Sequence, residues 1–395
     1  MSQDQFTEVS HESWFSRLKG AAKGIAAGFM LFIAAFVLLF WNEGRAVKDY
    51  KTLKEGAGAV VSVPADRIDP SREGKLVHLS GKAVTEETLR DPEFGVTANA
   101  LRLERTAEMY QWQERSESKK EKKLGGGEET TTTYSYSKAW SESLISSSGF
   151  RQQAGHENPG SMPFSSQEQS ARQVTLGAFS LPPSLTSKIS TAQPLPVSAD
   201  APLPENTAGR KIWRHGSGFY LGEDPNTPQV GDLRISFSVV LPTEVSIVAQ
   251  QRGSSLEPYR SEAGGSIELL QTGTHTAAAM FKSAQQSSKL LTWLLRLGGF
   301  ILMLTGLNLM LKVLSVTADI VPMFGSLVGA GTGIVSFLLA GVLSLLTIAA
   351  AWVIYRPLIG LSLLAAAAAL IWAVRSKLRA KQPAAATMPP PPPPR

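Results

Sequence analysis

The chain has 395 residues, of which 43% are hydrophobic and 18% charged, and its formal net charge is +6 at pH 7. It contains no cysteine, which excludes disulfides, thiolate metal sites and cysteine nucleophiles. The basic excess is scattered over short flanks of apolar segments. This distribution is typical of membrane orientation and contact with lipid headgroups, not of a nucleic-acid-binding face.

The first apolar segment lies close to the N-terminus. Residues 1–23 are a polar segment that contains aromatic and basic side chains, and the apolar residues 24–41 follow it. A segment of this length predicts transmembrane helix 1. No small-x-small cleavage site closes it, which favours an uncleaved anchor over a signal peptide. Apolar residues continue at helical spacing to about Gly56, so we expect the helix to extend beyond the membrane.

A short motif marks the end of this span. Its residues are Trp41, Asn42, Glu43, Gly44 and Arg45. Tryptophan suits the headgroup level, whereas a carboxylate and a guanidinium are costly in hydrocarbon. We interpret the motif as the junction between the anchor and an external domain.

The middle of the chain, residues 42–289, is mostly polar and predicts a β-rich α+β domain. Residues 75–81 and 233–240 are β-branched or alternate between apolar and polar, as strands do. Two polar strands, one starting at Met109 and one at residues 130–140, flank three consecutive glycines. This composition predicts a long β-hairpin.

The last quarter of the chain predicts three more spans and a tail. In chain order these are transmembrane helix 2 at 290–311, a cytoplasmic loop at 312–327, transmembrane helix 3 at 328–355, transmembrane helix 4 at 358–374 and a basic, polyproline cytoplasmic tail at 375–395. Tyr355, Arg356 and Pro357 form the predicted hairpin turn between the last two spans.

Four spans place both termini on one side of the membrane. The short segments rich in lysine and arginine are the two ends, so the positive-inside rule places them in the cytoplasm. The predicted fold class is a multi-pass α-helical membrane protein with four spans and a large β-rich α+β extracytoplasmic domain between spans 1 and 2. That domain would be periplasmic in a bacterium and lumenal in a eukaryotic endomembrane.

Small and polar residues within the spans indicate helix packing. Glycines recur every four residues, so they share a helix face that lets another helix approach closely, although glycine is also common in membrane helices generally. The glycines are Gly20, Gly24, Gly28, Gly325, Gly329 and Gly333. Arg296 would either extend to the interface or pair inside the bundle, and Asn308 would need a partner helix.

Catalytic and metal-binding signatures are absent from the sequence. The histidines are far apart, and there is no phosphate-binding loop and no Gly-x-Ser-x-Gly elbow. His156 and Glu157 combine a base with a carboxylate, but they lie beside Asn-Pro between glycines, which is foremost a turn composition. We therefore expect no enzyme, no cofactor and no metal, and keep a hydrolase that uses these two residues as the weakest hypothesis.

Several motifs together resemble those of the transmembrane protein 43 (LUMA) family and occur in the order expected for it. The resemblance covers residues 13–377. The motifs lie at residues 40–47, 76–81, 108–112, 134–136, 155–156, 158–159, 231–237, 306–310 and 355–358. The resemblance implies a four-span protein with a lumenal domain and no enzymatic activity. It also implies a place in the endoplasmic reticulum and inner nuclear membrane, where animal members self-associate and organise the nuclear envelope through emerin and lamins.

The chain departs from the family in its polyproline tail, and it contains no Asn-x-Ser/Thr sequon. These features would fit a bacterial member in the inner (cytoplasmic) membrane, to which only the scaffold architecture would transfer. We expect a non-enzymatic membrane scaffold that contacts lipids, forms a homo-oligomer, binds an unidentified protein partner and does not bind nucleic acid. The alternative is a channel or transporter component that uses Arg296, Asn308 and Arg356.

Overall fold

The computed structural model describes residues 4–197, 203, 207, 209–320, 322–358 and 362, and side chains are not described for 322–326. The helices are α1 (Trp14–Ala59), α2 (Pro183–Thr186), α3 (Ala277–Ala318) and α4 (Pro322–Tyr355). The strands are β1 (Gln5–Glu12), β2 (Val61–Ser62), β3 (Leu76–Val84), β4 (Thr88–Arg90), β5 (Thr97–Asn99), β6 (Arg102–Lys122), β7 (Glu128–Ser141), β8 (Gln167–Ser170), β9 (Thr175–Leu176), β10 (Phe179–Ser180), β11 (Ala192–Pro194), β12 (Ile212–His215), β13 (Gly218–Leu221), β14 (Leu233–Val240), β15 (Thr243–Arg252), β16 (Ser255–Glu257), β17 (Tyr259–Arg260), β18 (Ser266–Ile267) and β19 (Leu269–Thr272).

Three of the described helices, α1, α3 and α4, are long and apolar enough to cross a membrane. The predicted fourth span falls on residues that, apart from 358 and 362, lie outside the described part of the chain, as does the predicted tail. Helix α1 begins at Trp14, inside the segment predicted to precede the span, because Ser13 caps it by accepting a hydrogen bond from the Ser16 amide at 3.3 Å.

The predicted loop at 312–327 is largely helical, because α3 continues to Ala318 and α4 already begins at Pro322. Nothing in the sequence indicated that the two helices extend into this loop, because the apolar periodicity that predicted the spans ends where the helices leave the apolar bundle. The turn between the two helices is therefore much shorter than predicted.

Helices α1 and α3 cross closely at a pair of glycines. A Cβ atom built on Gly28 would lie 2.7 Å from the Gly306 carbonyl oxygen, and one on Gly306 would lie 2.7 Å from the Gly28 carbonyl oxygen. Only glycine at both positions permits this approach. Leu39, Met303 and Ala340 are buried in one apolar cluster formed by the three helices.

The β-rich domain contains two main sheets. An eight-stranded sheet has the order β1-β7-β6-β14-β13-β12, with β11 beside β14 and β8 beside β6. A seven-stranded sheet has the order β19-β15-β16-β10-β9-β3-β2, and an extra pairing of β15 with β3 closes five of its strands into a ring. The main core lies among these strands and includes Phe94, which contacts Phe164, Phe219 and Phe237.

The domain is fixed to the C-terminal end of α1 and the N-terminal end of α3, which we call the outer ends; the opposite ends of these helices are the inner ends. Gly56 of α1 packs against Ile267 and Phe281, so this end of the helix meets both β18 and α3. The Thr52 and Ser261 hydroxyls are hydrogen-bonded at 3.0 Å. Both helices thus run without a break from the apolar bundle into contact with the domain.

The predicted hairpin is formed by β6 and β7, which pair from Met109↔Ser141 to Lys122↔Glu128. Strand β1 adds to β7 as a third strand, and we call β1, β6 and β7 beyond Met109 the polar ribbon. Its tip lies at the inner ends of α1 and α3, where Lys122 and Arg17 both pair with the buried Asp319. The ribbon thus joins the N-terminal segment to a hairpin of the domain, two regions that the sequence predicted on opposite sides of a membrane.

Candidate functional site at the helix junction

The candidate site is a buried ion pair where the three long helices meet. Glu43 of α1 accepts hydrogen bonds from Arg296 Nε at 2.6 Å and Arg296 Nη2 at 2.9 Å. Trp352 of α4 donates its indole N–H to the same carboxylate at 2.7 Å. One carboxylate therefore accepts bonds from two other helices.

The ion pair is shielded from solvent. The Glu43 side chain is 1% exposed and the Arg296 side chain 17%. The guanidinium carbon lies 4.8 Å from the centroid of the Trp293 ring and 5.9 Å from that of Trp352, within range of cation–π attraction. A buried charge whose partner is removed costs about 3–5 kcal/mol, so these residues depend strongly on each other.

A second polar layer extends the junction outward along α1 and α3. Asn42 Nδ2 donates to the Thr292 carbonyl oxygen at 3.1 Å. Arg45 donates to Asn42 Oδ1 at 3.1 Å, to Thr292 Oγ1 at 3.0 Å and to Asp49 Oδ2 at 2.6 Å. Ser288 of α3 also donates to Asp49, at 3.0 Å. The two helices are therefore joined by hydrogen bonds over several turns.

The remaining motif residues have distinct surroundings. A Cβ atom on Gly44 would lie 2.7 Å from the Tyr355 ring, so glycine allows the end of α4 to contact α1 here. Phe40 contacts the same ring, with centroids 5.4 Å apart. Trp41 is 55% exposed on the outer surface of the bundle. Gly44 and the neighbouring Phe40 thus contact Tyr355 of α4, whereas Trp41 faces away from the other helices.

Chemically, the junction is a clamp. The carboxylate of Glu43 is held by three N–H donors, and the described residues contain no group of three or more His, Asp or Glu side chains that could hold a metal ion. Sequence reasoning identified Glu43, Arg45 and Arg296 separately but missed Thr292, Asp49 and Trp352. The one sequence feature that could have predicted the ion pair is that Glu43 and Arg296 carry opposite charges near the outer ends of two predicted spans.

The other predicted packing residues are not gathered in one place. Gly24 lies 3.9 Å from Leu309, measured from a built Cβ atom, and Gly329 lies 3.0 Å from the Ser315 hydroxyl. Gly20 and Gly333 have no neighbour within 4 Å in the described structure, and the surroundings of Gly325 lie outside it.

Among the polar and turn residues, Asn308 is exposed, and its amide makes no hydrogen bond within the described part of the chain. Tyr355 ends α4, and the predicted turn continues into residues that the structure describes only in part.

His156 and Glu157 do not form a catalytic pair. His156 is buried, with Nδ1 3.0 Å from the Gln152 carbonyl oxygen and Nε2 2.9 Å from Asp4 Oδ2. Its ring stacks on Tyr136 with centroids 3.9 Å apart. Glu157 instead accepts a hydrogen bond from the Gly155 amide of its own turn. Both ring nitrogens of His156 are occupied, so its contacts are those of a structural residue.

Comparison with known proteins gives a consistent result. The family model described as Transmembrane protein 43 matches residues 109–357. The chain is 36% identical to Transmembrane protein 43 of Homo sapiens over 385 residues, which cover 94% of each chain. It is 37% identical to the Mus musculus protein over 89% of each chain, and 32% identical to the Drosophila melanogaster homolog over 88% of this chain and 93% of the relative. No solved structure matches.

Proposed function

Because the chain belongs to the transmembrane protein 43 family, and is an integral membrane protein with a large β-rich domain, we propose that it is a non-enzymatic scaffold. In this proposal the membrane helices self-associate and the domain presents a surface to protein partners. The fourth span and the extracytoplasmic side of the domain are part of the proposal.

The junction is the observation that carries this function. Helices α1 and α3 extend from the apolar bundle to the domain, and Glu43, Arg296 and Trp352 lock them to α4 at the boundary. A domain held in this way keeps a fixed orientation to the membrane. Fixed orientation benefits a protein that arranges partners, since less freedom is lost when they bind.

Self-association is supported by two residues of the membrane helices, one without a close contact and one without a hydrogen bond in the described structure. Gly333 of α4 is open on one side, which would let another helix approach closely. The exposed amide of Asn308 on α3 would gain a hydrogen bond from a second copy. Both groups remain on the surface of the three-helix bundle, where an association interface would form.

The channel alternative finds less support in the described residues. The charge of Arg296 is neutralised by Glu43, and the bundle core beside it is formed by Leu39, Met303 and Ala340. A conducting path would need polar groups along its whole length. In the described bundle the buried charged side chains lie at its two ends, Glu43 at one and Asp319 at the other, and the buried polar groups of α4 are the hydroxyls of Ser336, Ser344 and Thr347.

Self-association is tested by mass photometry of the full chain in lipid nanodiscs and by cross-linking in native membranes. We expect oligomers for the natural sequence and a shift to monomers in Gly333→Leu and Asn308→Leu. Gly333→Ala is the matched control, because alanine keeps the surface small and should preserve the oligomer. A natural sequence that is monomeric in both measurements would show that the proposal is wrong.

A further inference from the structure

A cleft opens at the outer end of the bundle, beyond the point where α4 ends. Helices α1 and α3 continue past this point and leave a cavity of about 250 Å³ between them. Its lining residues are Ala46, Tyr50, Leu53, Gln285, Ser288, Lys289, Thr292, Trp293, Arg296 and Arg356. Three of these side chains are basic and none is acidic, so the cleft favours an anion.

Two of the basic groups have no partner among the described residues. Arg296 is committed to Glu43, but the side chains of Lys289 and Arg356 make no hydrogen bond or ion pair with any described residue. The Tyr50 hydroxyl and the Gln285 amide are likewise without a hydrogen bond in the described structure. One cavity is thus lined by two cations and two hydrogen-bonding groups that have no partner among the described residues.

The position of the cleft indicates which class of anion it would bind. Trp293 lines it and is 66% exposed, and Trp41 is 55% exposed at the end of the first apolar segment. Exposed tryptophans are characteristic of the level where lipid headgroups meet hydrocarbon. At that level the most abundant anions are the phosphates of phospholipids.

We propose that this cleft binds the phosphate of an anionic phospholipid headgroup. Lys289 and Arg356 contact the phosphate oxygens, while Tyr50 and Gln285 hydrogen-bond the remainder of the headgroup. Arginine suits this role because its planar fork of N–H donors matches phosphate oxygens. The binding site belongs to a single chain, so it does not depend on the self-association proposed above.

The test uses the full chain in a neutral detergent, titrated with short-chain phosphatidylglycerol and followed by native mass spectrometry. We expect the double variant Lys289→Gln/Arg356→Gln to bind about 30-fold more weakly, which corresponds to about 1 kcal/mol for each basic group lost. Lys282→Gln is the matched control, because Lys282 is an exposed lysine of the same helix that does not line the cleft. It should bind as the natural sequence does.

A parallel titration with glycerol 3-phosphate separates a lipid from a free phosphate, since it carries the same anion without acyl chains. Weak or absent binding of this compound, together with lipid binding that depends on Lys289 and Arg356, supports the proposal. Equal lipid binding by the double variant and the control would overturn it. Glycerol 3-phosphate binding as tight as that of the lipid would overturn the lipid assignment and identify a soluble ligand.

Discussion

Glu43 of α1 accepts hydrogen bonds from Arg296 of α3 and Trp352 of α4. The cost of a carboxylate in hydrocarbon predicted that Glu43 marks the boundary of the first span. The structure places it at a helix junction with its side chain buried and bonded to Arg296 and Trp352. Its partners lie 253 and 309 residues away in the chain, so local sequence could not reveal them.

Tyr220 is a residue of the β-rich domain whose titration affects folding. It donates a hydrogen bond to Asp232 Oδ2 at 2.6 Å, and both residues are buried. Burial, followed by the hydrogen bond and charge of Asp232, raises the pKa of Tyr220 above its ordinary value of 10.0. The raised pKa means that the folded domain favours the protonated hydroxyl.

This shift predicts a loss of stability in alkali. Because the pKa is higher in the folded state, the contribution is complete below the unfolded value of 10.0 and is lost as pH rises above it toward the folded value. Tyr220→Phe should cost about 1–3 kcal/mol at pH 7 and lessen the decline above pH 10. Denaturant unfolding at several pH values measures both effects, with Tyr134→Phe as control. An unchanged alkaline decline in Tyr220→Phe would contradict this account.

At the scale of the elements, local patterns predicted most of the long pieces. Alternation predicted β14, the polar composition around three consecutive glycines predicted the β6–β7 hairpin, and apolar length predicted the bundle segments of α1, α3 and α4. The pairing of β1 with β7 and the ring closed by β15 and β3 were not predicted. These pairings join distant segments, and the residues of β1 carry no alternation that would specify a partner.

The polar ribbon raises a question about the bilayer. The ribbon part of β6, residues 109–122, spans about 45 Å, and the ribbon reaches the inner ends of α1 and α3. Its side chains are mainly polar, and β1 is the outermost described strand of the sheet. Unsatisfied backbone groups cost several kcal/mol each in lipid.

We therefore expect the ribbon tip to leave the helix ends when the apolar helices are inserted in a bilayer. Single cysteines at His11, Leu124 and Ser254 can be labelled from either side with an impermeant maleimide, because the chain has no natural cysteine. Leu124 at the tip should label from the same side as Ser254 of the domain, and His11 from the opposite side. If His11 and Leu124 label from one side, the ribbon instead crosses the bilayer level in a protein-lined, aqueous space.

At the scale of the whole molecule, the helix bundle and the β-rich domain are mechanically continuous. Two helices, α1 and α3, run between the apolar bundle and the domain, and Thr52 and Gly56 fix α1 to the last strands. The ion pair at the junction prevents these helices from sliding past each other or past α4. The domain and the bundle should therefore unfold as one cooperative unit.

The most direct test of this claim is a double-mutant cycle between Glu43 and Arg296 in nanodiscs, with the free energy of unfolding measured for the full chain. Glu43→Gln keeps an acceptor for Trp352, and Arg296→Met keeps the length of the side chain. Each single variant should cost about 3 kcal/mol or more, because the partner charge stays buried and unpaired. The double variant should cost less than the sum by about 1–3 kcal/mol.

The exposed ion pair of Lys211 and Glu223 provides the matched control, for which the same cycle should give a coupling near zero. A coupling of about 1–3 kcal/mol between Glu43 and Arg296, with one cooperative transition for domain and bundle, is the predicted result. Additive effects of the two substitutions would contradict it and would return Glu43 to the role of a boundary marker.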